Sequence, residues 1–443
     1  MRLRILSRLL SDTYPATAIV SWRGSEQLRL DRFRADVAAI AARFAGTTAA
    51  ALLCQDSYHF AAGFYGLLHA GAQIILPPSA QPGALGDLRG TFTTLVDDAV
   101  IGATIAASAN ITDAALTPLD PASENINFFT SGSTGAPKRI VKSLGMFEQE
   151  TAMFEQRFGQ SLKCEARVFA TVPHQHLYGL SFKLLWPLAY GRPFCAETHS
   201  FWETLLAELS PDAVIVSSPA HLSRLSGIAP RTNAIPACVL SSGAPLAQAA
   251  SDEAATILGC RPTEIFGSTE TGAIATRCDR RDENDPWHLL PGVAMHGADG
   301  HLSVRSPAAG PGWTEMSDLI TPTADGFIYH GRTDRIVKIE GKRINLIAVE
   351  DALLRHPLVD TAAVITLTDP LRLAAAVVLK PAGRDLLAVQ GAFRFARSLR
   401  KTLQQAIEPA GLPRQWRFID ALPTHPMGKR RQADIAALFG EST

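Results

Sequence analysis

The chain has 443 residues, more than one ordinary compact domain holds, so two or three domains of about 100–200 residues each are expected. Its 42 basic and 42 acidic residues cancel, which leaves no overall field to draw the protein onto nucleic acid or an acidic membrane. The six cysteines, at 54, 164, 195, 238, 260 and 278, form no CxxC pair, so they point to scattered thiols in a reducing cytoplasm rather than to zinc or a disulfide framework.

The N-terminus, MRLRILSRLLSD, intersperses arginines where a secretory signal needs an apolar run. No stretch reaches the roughly 18 apolar residues of a membrane span, and a cytoplasmic protein is expected. In LDRFRADVAAIAARFAG, Phe33, Val37, Ile40 and Phe44 recur at helical spacing, with Asp31 as N-cap and Gly46 as stop. AAALLCQ reads as a strand, DSYHFAAGFYGLLHAG as a helix closed by Gly71, and AQIILPP as a second strand. This alternation marks a parallel sheet covered by helices. Further units follow in PDAVIVSSPAHLSRL, ACVLSSGAPL and RPTEIFGSTETG, each an apolar run ending in small polar residues. In open α/β sheets such loops converge on a ligand at the carboxyl ends of the strands.

After about residue 300 the texture changes. HLSVRSP and GFIYHGR read as antiparallel strands, and DRIVKIEGKRINLIAVEDALLRHPLV passes from strand to helix. AAVITL and AAAVVLKP are strands, FRFARSLRKTLQQAI a helix, and RQWRFIDALP a last strand. The fold class is therefore α/β: a large N-terminal α/β domain with sheets covered by helices, followed by a small α+β C-terminal domain.

The most informative segment is Thr130-Ser131-Gly132-Ser133-Thr134-Gly135-Ala136-Pro137-Lys138, directly after the apolar NFF. Four hydroxyls, two glycines and a lysine fall within nine residues. Glycines let the backbone approach closely, successive N–H groups form an anion nest, and the lysine adds charge. A Walker P-loop would end in Gly-Lys-Ser/Thr, whereas Pro137 precedes Lys138 and Arg139 follows it. A serine-hydrolase elbow fails as well, since Gly132-Ser133-Thr134-Gly135 lacks the G-x-S-x-G spacing.

Taken in order, the motifs resemble the adenylate-forming superfamily of acyl- and aryl-CoA ligases, luciferases and peptide-synthetase adenylation domains. TSGSTGAPK is that family's most specific signature. Phe266-Gly267-Ser268-Thr269-Glu270, Asp318, Gly331-Arg332-Thr333-Asp334, Gly341-Lys342-Arg343-Ile344, Leu422-Pro423-Thr424 and Gly428-Lys429 follow in the family's order. The resemblance implies residues 1–332 as an ATP- and acid-binding domain and 333–443 as a mobile domain carrying the catalytic lysine. The implied chemistry drives a carboxylate against the α-phosphorus of ATP, so cations and N–H donors must neutralise the developing charge.

By that resemblance Thr130, Ser131, Gly132, Ser133, Thr134, Gly135 and Lys138 take the β- and γ-phosphates. Thr269 touches the α-phosphate, and Glu270 holds Mg2+, a hard cation suited to carboxylate oxygens. In isolation Glu270 reads as an ordinary solvated loop acid; FGSTETG around it carries the functional reading. Phe266, Gly267 and Ser268 belong to the same nucleotide site. Asp318 and Arg332 resemble the pair on the ribose hydroxyls, although Met316-Ser317 stand where the family has Thr-Gly. Ser241, Ser242, Gly243 and Ala244 resemble the loop against adenine; a plain strand-to-helix turn reads the same. Lys429 resembles the lysine that bridges the acid and the α-phosphate, Asp334 the hinge, and Gly341 the glycine past which a pantetheine arm slides. Arg343 falls near the phosphates or the interdomain surface.

His176, in PHQHLYGLSF, resembles a histidine gating the acid pocket and thiol tunnel. His174 and His176 also form an HxH, but no carboxylate or cysteine partner stands near in sequence. Phe182, Leu185 and Trp186 either line the acid pocket or pack beside it. No acidic residue stands out as partner for an amino-acid ammonium. The expected substrates are ATP, a carboxylic acid (aryl slightly favoured over acyl), and the pantetheine thiol of coenzyme A or of an acyl carrier protein. The alternative is a non-catalytic nucleotide-binding relative with a scaffolding role.

Overall fold

The computed structural model describes residues 5–11, 14–107, 116–131, 137–278, 285–298, 301–332, 335–339, 342–368, 371–423 and 432–440. The chain forms two compact units, one of residues 1–296, 303–314 and 323–327, the other of residues 297–302, 315–322 and 328–443.

The strands of the first unit are β1 (Ile19–Arg23), β2 (Glu26–Arg29), β3 (Ala49–Leu52), β4 (Gln73–Leu76), β5 (Thr94–Val96), β6 (Ile126–Ser131) and β7 (Pro137–Lys142). They continue with β8 (Val168–Ala170), β9 (Phe194–Cys195), β10 (Val214–Ser217), β11 (Cys238–Ser241), β12 (Thr263–Ser268), β13 (Gly272–Arg277) and β14 (Trp287–Leu289). One sheet runs β5-β3-β4-β6-β7, parallel except for the antiparallel β6–β7 hairpin. In the other sheet β12-β11-β10-β8-β9-β1 are parallel neighbours, and antiparallel strands flank them at either end. The three β-rich units read from the sequence are thus adjacent parallel strands, and their carboxyl ends share one edge.

Helix Leu30–Arg43 buries Phe33, Val37 and Ile40 as the periodicity requires. Its N-cap is Arg29, not Asp31, which sits inside the first turn. The reason is the preceding chain. The N–H groups of Leu30 and Asp31 are already bonded to the carbonyls of Ala18 and Ala16, at 2.9 and 3.0 Å, so no capping side chain is needed. Helix Ser57–His69 is capped by Asp56, whose Oδ1 accepts from the N–H groups of Tyr58 and His59, both at 2.9 Å. It closes through Gly71 at φ +76°.

The helical segment after His176 is α at Leu177–Gly179, π at Leu180–Leu185 and α again at Trp186–Tyr190. Its Phe182, Leu185 and Trp186 are core residues, each 1% exposed, with Phe182 stacked on Phe154 at 3.8 Å between centroids. The same segment buries Lys183, whose Nζ donates to Thr198 Oγ1 at 2.6 Å and to the Glu197 carbonyl at 3.4 Å. Burial lowers its pKa from 10.5 to about 7. The unfolded chain therefore holds a proton that native Lys183 has released between about pH 7 and 10.5, and stability rises with pH across that window. Lys183→Met is expected to remove this slope in denaturant titrations at several pH values; a variant that keeps the wild-type slope would contradict the assignment.

The strands β15 (Ala294–Ala298), β16 (His301–Arg305), β17 (Thr314–Thr323) and β18 (Gly326–Arg332) follow one another in sheet order. Beyond them β19 (Ile336–Ile339) and β20 (Lys342–Asn345) pair antiparallel, and Asn345 caps helix Leu346–Leu354. In the second unit β21 (Val359–Thr368) and β22 (Leu371–Leu379) are antiparallel, with β23 (Gln415–Phe418) parallel to β22. Alternate residues serve two faces. Ala362, Val364, Ala375 and Val377 pack with Val349, Phe395 and Leu399, while Ala363, Ile365, Ala374 and Ala376 pack with Leu422 and Ile435. The helix expected from Phe393 is the second of two helical segments within Pro381–Leu403, which meet at Gly391, whose φ of +76° and ψ of 158° are not helical. The first begins at Pro381, a residue suited to the first helical position. No helix among the described residues is long and apolar enough to cross a membrane.

Candidate active site

The β6–β7 hairpin presents the loop TSGSTGAPK. Thr130 pairs with Lys138 and Ser131 with Pro137, so the strands bracket the loop. Gly132, Ser133, Thr134 and Gly135 lie outside the described residues, as do the side chains of Thr130 and Ser131. Lys138 is exposed, and its Nζ lies 3.1 Å from Glu270 Oε1.

Glu270 comes from the other sheet, in the turn where β12 reverses into β13. The turn is tight. A Cβ on Gly267 would stand 2.2 Å from the Gly272 carbonyl oxygen, and Gly272 itself has φ +69°. Ser268 and Thr271 brace it from inside, their hydroxyls 3.1 Å apart and each accepting the other's main-chain N–H at 3.2 Å. Thr269 is half-buried in the same turn. Burial alone would raise the Glu270 carboxyl, but hydrogen bonds from Lys138 and from Ser268, with the charge of Lys138, hold it below the ordinary carboxylate range. It is an ionised, partly exposed carboxylate, a hard oxygen donor of the kind that suits Mg2+.

Two charged side chains support this turn from below. Lys142, 3% exposed, donates from Nζ to the Glu270 carbonyl at 2.7 Å and to the Ala308 carbonyl at 2.8 Å. Glu150, 2% exposed, accepts the Ser181 hydroxyl at 2.5 Å and the Ala273 N–H at 2.9 Å. Neither stands out in the sequence.

At the end of β11 Ser241 is buried, and just beyond it Ser242 Oγ donates to the Ile265 carbonyl at 2.9 Å, tying the following loop to the strand that leads to Glu270. Gly243 has φ +98°, and Ala244 is exposed. Phe266 packs at a tilt against Trp287 and edge-on against Phe327, with centroids 5.1 and 5.2 Å away.

His176 is half-buried at the start of the Leu177–Gly179 turn. His174 is a core histidine, with Nδ1 3.1 Å from the Ser57 hydroxyl and Nε2 2.8 Å from the Cys54 carbonyl. Burial keeps it neutral by lowering its pKa. The HxH gathers no further ligand among the described residues; the one cluster of three potential metal ligands there is Cys195, His199 and Glu208.

In the second unit Asp318, 4% exposed on β17, stands 3.9 Å from Nη1 of Arg332 at the end of β18. The Met316-Ser317 departure therefore leaves the carboxylate buried beside its arginine. Arg343 lies on β20 opposite Lys338, its side chain outside the described residues, and Asp334, Gly341 and Lys429 lie outside them altogether.

The family described as AMP-binding enzyme matches residues 87–302, and the AMP-binding enzyme C-terminal domain matches residues 348–429. A 4-coumarate–CoA ligase of Cereibacter sphaeroides is 30% identical over 307 residues, 68% of this chain and 69% of that protein. The chain belongs to the adenylate-forming AMP-binding enzymes. It is an AMP-forming acid–thiol ligase of the acyl/aryl-CoA ligase family, which uses ATP and CoA. An anthranilate–CoA ligase of Pseudomonas aeruginosa is 26% identical over 72% of this chain and 68% of its own. Among solved structures, ATP-bound MatB from Rhodopseudomonas palustris superposes with a TM-score of 0.80 at 16% identity, covering 99% of both chains. The anthranilate CoA ligase AuaEII with anthranoyl-AMP gives 0.76 at 16% identity, covering 99% of this chain and 97% of that one. These likenesses establish the shared fold.

Proposed function

We propose that this ligase activates a small aromatic carboxylic acid as its acyl-adenylate and passes the acyl group to the pantetheine thiol of coenzyme A or of an acyl carrier protein. The observation that carries the reading is the meeting of Lys138, at the end of the phosphate loop, with Glu270, from the FGSTETG turn, 3.1 Å apart. In the first step the acid's oxygen bonds to the α-phosphorus as the bond to the bridging oxygen breaks, releasing pyrophosphate. In the second the thiol sulfur bonds to the carbonyl carbon, AMP departs, and the thiol proton is lost to solvent. Lys138 and the loop hydroxyls would neutralise the phosphates, Thr269 would contact the α-phosphate, and Asp318 with Arg332 would take the ribose hydroxyls. Mg2+ on Glu270 would spread the phosphate charge. The adenine would rest against the loop at 241–244, with Phe266, Gly267 and Ser268 beside it, and His176 would gate the acid. Lys429 would bridge the acid and the α-phosphate, Asp334 would act as hinge, and Gly341 would pass the pantetheine arm.

Aryl preference is supported by relatives named for 4-coumarate and anthranilate, and by the small residues at these strand ends. The test is pyrophosphate release across benzoates, cinnamates, fatty acids and α-amino acids, followed by CoA and carrier-protein acceptors. Benzoates or cinnamates are expected to lead, with near relatives reacting because a lost methylene costs only about 1–3 kcal/mol in an apolar pocket. Amino acids outrunning every other class would overturn the aryl reading. Silence from every acid would favour the nucleotide-binding scaffold.

A further inference from the structure

One strand grips Glu270 twice. Lys138 and Lys142 lie four residues apart on β7, and side chains at that spacing share a face of an extended strand. Lys138 holds the Glu270 carboxylate at the surface, at 3.1 Å. Lys142 holds the main-chain carbonyl of the same residue from the interior, at 2.7 Å, and anchors itself on the Ala308 carbonyl at 2.8 Å. The balancing charge is Glu150 on helix Leu144–Phe158, which fixes the far side of the turn through the Ala273 N–H at 2.9 Å. Gly272 passes so close that a Cβ there would stand 2.5 Å from Glu150 Oε1. The turn is thus fastened at both shoulders by side chains that solvent does not reach.

An interior lysine bonded to two carbonyls is a costly way to fill space, since apolar residues usually pack there with equal or better stability. What apolar residues could not supply is a donor that fixes the peptide of residue 270. Lys138 cannot serve that purpose during turnover, because its ammonium is the phosphate loop's own cation. We propose that Lys142, balanced by Glu150, is a positioning residue that keeps Glu270 aimed at the nucleotide's cation when Lys138 leaves the Glu270 carboxylate for a phosphate oxygen. This rests on the roles given to Lys138 and Glu270 above.

Wild type, Lys142→Met and the double variant Lys142→Met/Glu150→Gln are compared in three measurements: thermal unfolding, the Mg2+ dependence of pyrophosphate release with the best acid, and calorimetric ATP binding with and without Mg2+ in the absence of acid. The single change strands the Glu150 charge and lowers the melting temperature, while the double change removes both charges and restores most of it. Both variants are expected to need at least about tenfold more Mg2+ for half-maximal release, in line with loss of a charge-assisted hydrogen bond. Both also lose most of the Mg2+-dependent tightening of ATP, while the KM for the acid at saturating Mg2+ moves less than about threefold. A double variant whose Mg2+ requirement returns to wild type together with its melting temperature would make Lys142 a charge-balancing core residue and overturn the proposal. A single variant with a wild-type Mg2+ response in both assays would do the same. If wild type itself releases no pyrophosphate from any acid, the adenylation reading fails, and the calorimetry still decides whether Lys142 governs how Mg2+ and ATP bind.

Discussion

Lys429→Ala is expected to lower acyl-adenylate formation on the order of 10²–10³-fold, the loss typical of a donor aimed at developing charge. Thioester formation from supplied acyl-adenylate should keep most of its rate. In the proposed role the two half-reactions would separate, since the lysine would serve only where carboxylate and α-phosphate, both anionic, are forced together. Once the adenylate exists, the remaining step needs a thiol and a leaving AMP. The motif LPTHPMGK supports the assignment, as does the match to the family's C-terminal domain, which runs to residue 429. Pyrophosphate exchange and a thioester assay on synthetic adenylate are the measurements, and equal loss in both would remove Lys429 from this role.

Glu270→Gln is expected to cost about 2–4 kcal/mol in the adenylation transition state, roughly 30- to 1000-fold in rate at fixed Mg2+. Acid binding should be nearly unaffected. The amide keeps the shape of the side chain and can still accept a hydrogen bond from Lys138, so the turn at 268–272 should hold its form. What disappears is the charge that the 3.1 Å contact and the lowered carboxyl pKa both report. Rates that follow wild type across a full Mg2+ titration would take Glu270 out of the site.

How much of this was legible in the sequence depended on how local each signal is. The alternation of apolar runs and helical spacing lies within single segments, so the strands at 49–52, 73–76, 214–217 and 238–241 were evident. TSGSTGAPK and FGSTETG were readable because their residue types are set by the phosphate chemistry they resemble. The cap of the first helix is not legible in its own segment, since Arg29 holds that place only because the chain at Ala16 and Ala18 supplies the acceptors. Lys142 was invisible for a similar reason. In PKRIVKSL it looks solvated, and the carbonyl it serves lies 128 positions away. Glu150 left a usable trace, because it falls between Phe147 and Phe154 on the buried face of its helix, where an acid should stand only with partners. Lys183 left one too, inside the apolar run that follows His176.

The pairing of Lys138 with Glu270 bears on how easily nucleotide enters. The two side chains are 60% and 32% exposed, and an ion pair so open to water is worth at most about 1 kcal/mol. If ATP takes Lys138 as proposed, separating the pair would weaken its binding by no more than about fivefold. In return, the pairing restrains two long side chains that would otherwise sample many rotamers, and it presents a dipole rather than a bare charge to passing anions. In the proposed site the contact would act as a light latch, strong enough to keep both groups in place and weak enough for a phosphate to open.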